Sequence, residues 1–296
     1  MRNMTSRICL LLAVMALVPA GCAPRVGLGG KTNPVDYDNV VSLSPSMTEL
    51  LAGVGGAPYL KGRTSECNRP QSVLIAKVVV TEMKPDYELI LTLDPDLILY
   101  DTMLYGEEEV AKIEKFFGER DIETMPYVPD TIEEYKDFGY RLAAKLQLET
   151  FMATYLDKLE RQLGLAATND TGDPRTAVLL GGEGGNYLAM GTQGLHAAVV
   201  AAAGGTPVGP SGRLFQEIDA ESLIEMDPEV VFSDGAARAI LSDPRLQGLT
   251  AVKEGYVYDV DGQTLIRVGA RMDSLVSGMH RMLMSRPVAT VEDDAA

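Results

Sequence analysis

Two stretches of the chain repeat each other at a constant offset of 133 residues. Residues 86–101 read DYELILTLDPDLILYD, and residues 219–234 read DAESLIEMDPEVVFSD. Each stretch predicts a short helix, an Asp-Pro turn and a buried apolar strand. The repeat therefore predicts two similar lobes related by an approximate two-fold axis. The identical pairs are Asp86/Asp219, Glu88/Glu221, Asp94/Asp227, Pro95/Pro228 and Asp101/Asp234.

Strands and helices alternate on both sides of this repeat. Residues 40–56 read VVSLSPSMTELLAGVGG, which predicts an apolar strand and then a helix that Ser44 caps and Pro45 begins. A helical pattern at 107–118 follows the strand of the first repeat, and a new strand pattern, TAVLLGG, occupies residues 176–182. This alternation predicts parallel α/β layers in both halves.

Residues 131–165 predict one long helix between the two halves. Thr131 and Glu134 have capping-box spacing at its start. One apolar face continues for about 35 residues, roughly 50 Å at 1.5 Å per residue. A single large α/β domain with a long crossover helix is the alternative. The apolar face consists of Tyr135, Phe138, Leu142, Leu146, Met152, Leu156, Leu159 and Leu163.

We therefore predict an α/β fold in which two Rossmann-like lobes are joined by one long backbone helix, with the ligand cleft between the lobes. The predicted boundaries are a signal peptide at 1–21, a tether at 22–38, an N-terminal lobe at 39–130, the backbone helix at 131–165, a C-terminal lobe at 174–286 and an acidic tail at 287–296.

The first residues predict export. Arg2 and Arg7 precede an apolar run, residues 8–18, that is too short to span a bilayer but matches a secretory signal. The run leads into PAGC, which looks like a bacterial lipoprotein cleavage box with Cys22 as the lipidated residue. Ordinary secretion with an unmodified Cys22 is the alternative. We expect a protein anchored by lipid to the bacterial cell membrane or held in the periplasm.

The net charge limits the classes of partner, and the cysteine content limits the possible disulfides. The formal net charge is −16, with 42 acidic against 26 basic residues, so nucleic acid and anionic lipid surfaces are disfavoured. The membrane contact is then limited to the lipid anchor. Cys67 is the only cysteine left beyond the signal and Cys22, so the fold has no intramolecular disulfide.

Three segments carry a resemblance to a known family. They are VVSLSPSMTELLAGVG at 40–55, GRTSECNRP at 62–70 and IRVGARMDSLVSGM at 266–279. In this order, and with a long central helix, the chain resembles the ABC-importer substrate-binding proteins that bind cobalamin, haem or ferric siderophores. The second segment is similar to one frequent in the cobalamin-binding branch. The resemblance implies a monomer that is not an enzyme and that delivers a small metal-centred ligand to a permease dimer with its ATPase.

The ligand is expected where strands end and helices begin, at the facing edges of the lobes. Five arginines there suit carboxylate, phosphate or amide-rich ligands. Tyr105 and Tyr187 are interpreted as residues that stack on a macrocycle or ligate iron, or that pack on their own lobes. His196, His280 and Cys67 are interpreted as structural. No resident cofactor or metal site is predicted. The expected ligand-binding residues are Ser44, Ser46, Arg63, Glu66, Arg69, Tyr105, Tyr187, Arg213, Phe215, Gln263, Arg267 and Arg271.

The resemblance also implies that Glu88 and Glu221 dock onto arginines of the permease. Considered alone, each is a first-turn glutamate that favours the helix dipole. A cobalamin or other corrinoid is the expected ligand. The chain has no tryptophan, which commonly lines cobalamin sites in this family, so a ferric siderophore and haem are kept as alternatives. A ligand-sensing receptor component and an envelope enzyme are the alternatives of another class, although no G-x-S-x-G, P-loop or H-E-x-x-H motif is present.

Overall fold

The computed structural model describes residues 37–181 and 186–286. The predicted signal, Cys22 and the acidic tail lie outside the described residues, as does the tether up to residue 36. The last two tether residues belong to the folded body instead. Tyr37 is buried against the core, and the backbone N–H of Asp38 donates to the carboxylate of Asp96 at 3.0 Å.

The N-terminal lobe contains a six-stranded sheet in the order β4-β3-β2-β1-β5-β6. All neighbouring strands are parallel except β4, which forms an antiparallel hairpin with β3. The strands are β1 (Val40–Ser42), β2 (Leu60–Thr64), β3 (Lys77–Thr81), β4 (Lys84–Pro85), β5 (Leu97–Asp101) and β6 (Glu123–Tyr127). The helices of this lobe are α1 (Pro45–Gly53), α2 (Tyr87–Leu91) and α3 (Glu107–Gly118), with short 3-10 turns at Ala57–Tyr59 and Gln71–Ile75.

The predicted single helix over 131–165 is wrong, because the segment forms two antiparallel helices. Helix α4 (Ile132–Leu146) begins with the predicted capping box and ends at Gln147, whose φ of 57° reverses the chain. Helix α5 (Glu149–Ala167) then runs back along α4, and the hydroxyls of Tyr135 and Tyr155 lie 2.8 Å apart. The apolar residues of both helices are buried in one core cluster, so what reads as one long stripe serves two shorter helices.

The C-terminal lobe contains a second six-stranded sheet in the order β10-β8-β7-β11-β12, with β9 paired to β7. Strands β7, β11, β12 and β9 are parallel, and β8 is antiparallel to its neighbours. The strands are β7 (Arg175–Leu180), β8 (Tyr187–Ala189), β9 (Thr206–Pro207), β10 (Gln216–Ile218), β11 (Val230–Ser233) and β12 (Val257–Asp259). The helices are α6 (Gly194–Ala202), α7 (Ala220–Met226), α8 (Ala237–Ser242), α9 (Thr250–Lys253), α10 (Gly262–Arg267) and α11 (Met272–Met284), with a 3-10 turn at Pro244–Leu246.

The sequence repeat is a structural repeat. Asp86 and Asp219 each cap a short helix by accepting the N–H three residues further on, at 3.0 and 2.8 Å. Asp94 and Asp227 follow these helices with left-handed backbones, at φ of 49° and 37°. Strands β5 and β11 then occupy equivalent places beside β1 and β7. The predicted two-lobed α/β fold is confirmed.

Among the described residues, no helix is long and apolar enough to cross a membrane.

Candidate functional site

A cleft of about 410 Å³ lies between the two lobes, within the size range of small-molecule sites. The N-terminal lobe contributes residues at or after the carboxyl ends of its parallel strands, where the chain turns toward the other lobe. These residues are Pro45, Ser46, Glu66, Met83, Asp101, Met103, Leu104 and 127–130. The C-terminal lobe contributes the start of α6, a loop and helix α10 with the residue after it. These residues are 194–196, 213–215, Gln263 and 266–268.

The walls of the cleft are mainly apolar. Leu104 and Val128 of the N-terminal lobe are 38% and 42% exposed, and Leu214 and Ile266 of the C-terminal lobe are 53% and 44% exposed. These four are exposed large apolar side chains, and all of them line one cleft. Apolar surface gathered in this way marks a place that a ligand covers.

Half of the residues expected at the ligand lie in the cleft wall, and half do not. Tyr105 and Tyr187 do not face the cleft, because each ring is buried in the core of its own lobe. The hydroxyl of Tyr105 donates to the carbonyl of Leu43 at 2.8 Å, and that of Tyr187 donates to Asp243 at 3.0 Å. Burial, with the Asp243 carboxylate beside it, raises the pKa of Tyr187 to about 12. The residues in the wall are Ser46, Glu66, Arg213, Phe215, Gln263 and Arg267.

Ser44 and Arg63 also point away from the cleft. Ser44 is fully buried, where its hydroxyl caps α1 by accepting the N–H of Met47 at 3.4 Å. Arg63 is buried and donates to the carbonyls of Thr64 and Cys67, both at 3.0 Å. Both side chains therefore hold local backbone in place, which sequence position alone does not reveal.

The other arginines tie the two lobes together. Arg213 of the C-terminal lobe is paired with Asp130 of the N-terminal lobe at the cleft. Arg69 pairs with Asp261 across the lobes at 2.8 Å, and Arg271 reaches the same carboxylate oxygen at 2.8 Å. Arg69 and Arg271 lie outside the cleft wall. These guanidinium groups are paired with carboxylates of the protein, so they are not free to bind an anionic ligand.

Glu49 is the centre of a buried ionic cluster at the same junction. Its carboxylate is 4% exposed and is paired with the guanidinium of Arg271; a guanidinium nitrogen of Arg267 lies 3.9 Å away. Arg267 also donates to the carbonyl of Glu66 at 2.7 Å and to the side-chain oxygen of Asn68 at 3.1 Å. One C-terminal arginine of the cleft wall is thus fixed by three partners of the N-terminal lobe.

The stretch 261–271, which we call the seam segment, is docked onto the rest of the protein by three tyrosines as well. Tyr127 donates to the carbonyl of Val268 at 3.3 Å. Tyr135 and Tyr155 donate to the carbonyl of Gly269 at 3.1 and 3.2 Å. A short segment of the C-terminal lobe is therefore held by β6 and by both helices of the hairpin.

Residues 40–264 match the family model described as periplasmic binding protein. The chain belongs to this family. No curated protein sequence matches it. The family consists of substrate-binding proteins and not of enzymes; its members are exported and deliver ligands to ABC permeases. The family prediction made from the sequence is confirmed.

Solved structures share the fold of this periplasmic binding protein. The periplasmic vitamin B12 binding protein BtuF of Vibrio cholerae has a TM-score of 0.73 and 19% identity, covering 84% of this chain and 97% of that one. A periplasmic heme binding protein from Pseudomonas aeruginosa has a TM-score of 0.67 and 21% identity, covering 85% and 94%. The heme-binding protein BhuT, in complex with two hemes, has a TM-score of 0.70 and 21% identity, covering 83% and 98%. At these identities the likeness establishes the fold alone.

The sequence missed three parts of the cleft of this binding protein. Residues 127–130 directly follow β6, so the rule that ligands lie at strand ends could have found them. Met83 lies in the β3–β4 turn, for which no sequence signal exists. His196 lines the cleft, but its Nε2 lies 2.9 Å from the carbonyl of Ile266, and burial lowers its pKa. A neutral imidazole packed edge-on against Phe215 supports the wall.

Asp101 is a buried carboxyl in the cleft wall, and burial raises its pKa to about 6. The folded state therefore holds this proton more tightly than the unfolded state, and ionisation costs stability as the pH rises from about 4 to about 6. We expect Asp101→Asn to raise the free energy of unfolding at pH 8 by up to about 3 kcal/mol and to change it little below pH 4.

Urea unfolding of both proteins at the two pH values measures this difference. Asp137→Asn, at an exposed position of α4, is the control for the same change of side chain. An equal effect of Asp101→Asn at both pH values would show that the carboxyl titrates normally.

Proposed function

We propose that this protein captures a corrinoid in the cleft and delivers it to an ABC permease. The observation that carries the proposal is an apolar cleft whose arginines are already paired with acids and carbonyls of the protein. Such a cleft suits a large ligand with apolar faces, no excess of negative charge and polar groups at its edges. A corrin ring with its amide side chains has this character.

The paired arginines argue against a strongly anionic ligand. A carboxylate-rich siderophore would have to take Arg213 from Asp130, or Arg267 from the carbonyl of Glu66 and from Asn68. Either exchange leaves a protein acceptor without its donor, and Glu49 keeps only Arg271 as a cationic partner if Arg267 leaves.

Gln263 adds a polar group that fits an amide edge. It lines the cleft, and its side-chain oxygen is buried without a hydrogen-bond partner among the described residues. Buried acceptors normally have a donor, and an amide N–H is a matching one. A small shift of this side chain toward a bound ligand would satisfy it.

Haem is the second candidate, supported by Met83 and Met103 on one wall of the cleft. A thioether sulfur is an axial ligand for haem iron in several proteins. The Tyr127 hydroxyl and the His196 ring nitrogen are engaged with backbone carbonyls, so the two methionines are the better placed groups.

Binding of a ligand panel tests the proposal. The mature protein is dialysed to equilibrium against cyanocobalamin, dicyanocobinamide, hemin and a ferric siderophore, and bound ligand is quantified by visible absorption. We expect corrinoid binding in the micromolar range or tighter, about −8 kcal/mol, and weak siderophore binding. Leu214→Asp, which puts a charge on the apolar wall, should weaken corrinoid binding; Leu165→Asp, at an exposed position of α5, should not. Hemin bound more tightly than both corrinoids would replace the corrinoid by haem.

Glu88 and Glu221 are proposed to dock onto the permease. Both are exposed in the first turn of α2 and α7, the equivalent short helices of the two lobes, and neither lines the cleft. Two carboxylates in equivalent places match two identical cationic sites on a symmetric permease dimer. Lipidation of Cys22, which lies outside the described residues, completes the proposal by holding the protein at the membrane.

A further inference from the structure

The strongest hydrogen-bond donors of the cleft wall already have partners inside the protein. Arg213 is paired with Asp130, and Arg267 donates to the carbonyl of Glu66 at 2.7 Å. The hydroxyl of Tyr127 donates to a backbone carbonyl of the seam segment at 3.3 Å. A ligand in the cleft therefore finds these donors occupied, and its recognition depends on the acceptors that remain free.

Asp101, the last residue of β5, supplies such an acceptor. The residue lines the cleft and is 7% exposed, and its Oδ1 accepts the backbone N–H of Met103 at 2.9 Å. Among the described residues, no donor is hydrogen-bonded to Oδ2 and no cation is paired with the carboxyl. Buried acceptors normally have a donor, so this oxygen is available to a group that arrives with the ligand.

The sequence repeat provides an internal comparison for Asp101. Its equivalent in the C-terminal lobe, Asp234, is exposed and accepts the backbone N–H of Gly262 at 3.1 Å, at the start of α10. Asp234 therefore supports the local fold, and it does not line the cleft. The two carboxylates are equivalent in sequence, but only Asp101 is buried in the cleft wall.

The other lobe contributes a matching acceptor. Gln263 lines the cleft, and its buried side-chain oxygen has no hydrogen-bond partner among the described residues. With Asp101, the cleft offers a free acceptor from each lobe. An amide N–H satisfies either of them, whereas an ester has no donor to offer. A carboxylate would also bring a like charge against Asp101 in a buried place.

The surroundings of Asp101 leave it as a carboxyl that titrates near neutrality. Burial raises its pKa to about 6. Its electrostatic neighbours are the phenols of Tyr105 and Tyr127, whose pKa values are raised by their own burial, so both stay neutral in this range. The other titratable or charged groups of the cleft wall are Glu66, Asp130, His196, Arg213 and Arg267.

A ligand donor changes this titration in a defined direction. A hydrogen bond from an N–H group favours the ionised carboxylate and lowers the pKa of Asp101. Ligand affinity therefore rises as the pH increases through about 6 and is constant well above it. An ionised carboxylate in this place costs stability in the free protein, as is common for residues kept for binding.

We propose that Asp101 binds a side-chain amide of the ligand, so that the cleft selects corrinoids with amide edge groups over those with carboxylate or ester edge groups. The inference rests on the proposed function and names the edge chemistry of its ligand. One amide N–H donates to Oδ2 of Asp101, and another donates to Gln263. The ligand thereby contacts both lobes through its own donors.

Two corrinoids with the same ring test the inference. Aquacyanocobinamide carries amides at its edge, and the aquacyano form of cobyrinic acid heptamethyl ester carries esters without any N–H. Dissociation constants of both are measured by equilibrium dialysis at pH 5 and pH 8, on the wild type, Asp101→Asn and Asp137→Asn. Asp137 is exposed on α4, so its variant is the control and should match the wild type.

We expect the wild type to bind the amide compound more tightly than the ester, with about three- to tenfold weaker binding of the amide compound at pH 5 than at pH 8. Asp101→Asn should weaken the amide compound about five- to tenfold at pH 8 and remove most of this pH dependence. The same substitution should change the affinity for the ester less than about twofold. Since it is expected to stabilise the fold at pH 8, a loss of affinity there reports the carboxylate.

Three outcomes would overturn the inference. Equal losses for both compounds would mean that Asp101 acts through the shape of the cleft. A pH dependence that persists in Asp101→Asn would belong to another group, such as His196 or Glu66. An ester bound by the wild type as tightly as the amide compound would remove the selection of edge groups. Absence of binding by both corrinoids would instead overturn the proposed function, and this inference with it.

Discussion

Replacing Glu49 with glutamine is expected to lower the free energy of unfolding by about 3–5 kcal/mol. The carboxylate is 4% exposed and faces the guanidinium groups of both Arg267 and Arg271. Removing this charge leaves Arg267 desolvated without a carboxylate partner, whereas Arg271 keeps its pair with Asp261. An uncompensated buried charge costs more than the pair contributes. Glutamine keeps the size of the side chain, so the loss reports the charge and not a cavity.

Glu133→Gln is the matched control. Glu133 is exposed in the first turn of α4 and pairs with Lys136 at 2.9 Å, so its removal should cost about 1 kcal/mol or less. Urea unfolding at neutral pH gives both values. A Glu49→Gln loss as small as the control's would mean that the cluster is screened by water. The seam segment would then depend on its hydrogen bonds from Tyr127, Tyr135 and Tyr155.

Replacing both Glu88 and Glu221 with glutamine is expected to abolish most ligand uptake while leaving ligand affinity unchanged. Each substitution should weaken permease docking by about 2–5 kcal/mol, because a permease arginine would be left desolvated and unpaired. Neither side chain lines the cleft, so equilibrium binding to the purified protein should match the wild type. Uptake by cells that carry the cognate importer measures the loss.

The control for this experiment is Glu107→Gln with Glu254→Gln, an exposed glutamate from each lobe that the repeat does not relate. We expect near-normal uptake from the control and an intermediate defect from each single variant at Glu88 or Glu221. Normal uptake by the double variant would leave the two glutamates as helix-start acids. Lost ligand binding in a single variant would make that residue part of the ligand site.

The two lobes could be predicted from the sequence because the repeat consists of local signals, namely a capping residue, an Asp-Pro turn and an apolar strand. Asp86 and Asp219 are capping residues, and a cap acts on the N–H groups only three residues away. The strand after each Asp-Pro turn is apolar throughout, as a strand buried on both faces must be. Signals that act over a few residues are readable without knowing the rest of the fold.

The reversal of the chain between α4 and α5 is a feature that the local sequence signals did not predict. No glycine or proline lies at the reversal. Gln147 adopts a left-handed backbone there, and a glycine at this position would have indicated the turn from the sequence. The spacing from Leu146 to Met152 is six residues, a mismatch with the helical period of three or four, and it is the one signal that could have revealed the break.

The candidate site was predicted in position but not in chemistry. Strand ends placed the cleft, yet Tyr105 is buried in its own lobe, because a loop residue can face either side. Arg271 and Glu49 are 222 positions apart, so nothing in the sequence announced that the arginine has a protein carboxylate as its partner. Long-range pairing of charges is a property of the folded chain, and here it favours the expected corrinoid over the siderophore alternative.

The three tyrosines that donate to the seam segment also give the protein an optical reporter of its own. The chain contains 12 tyrosines and no tryptophan, so its near-ultraviolet signal comes from phenol rings without an indole background. Tyr127 and Tyr135 are buried and Tyr155 is partly buried, and all three donate to the carbonyls of Val268 and Gly269. A parting of the lobes that breaks these hydrogen bonds is expected to alter the absorption and circular dichroism of the three phenols. Opening can therefore be followed in the unlabelled protein.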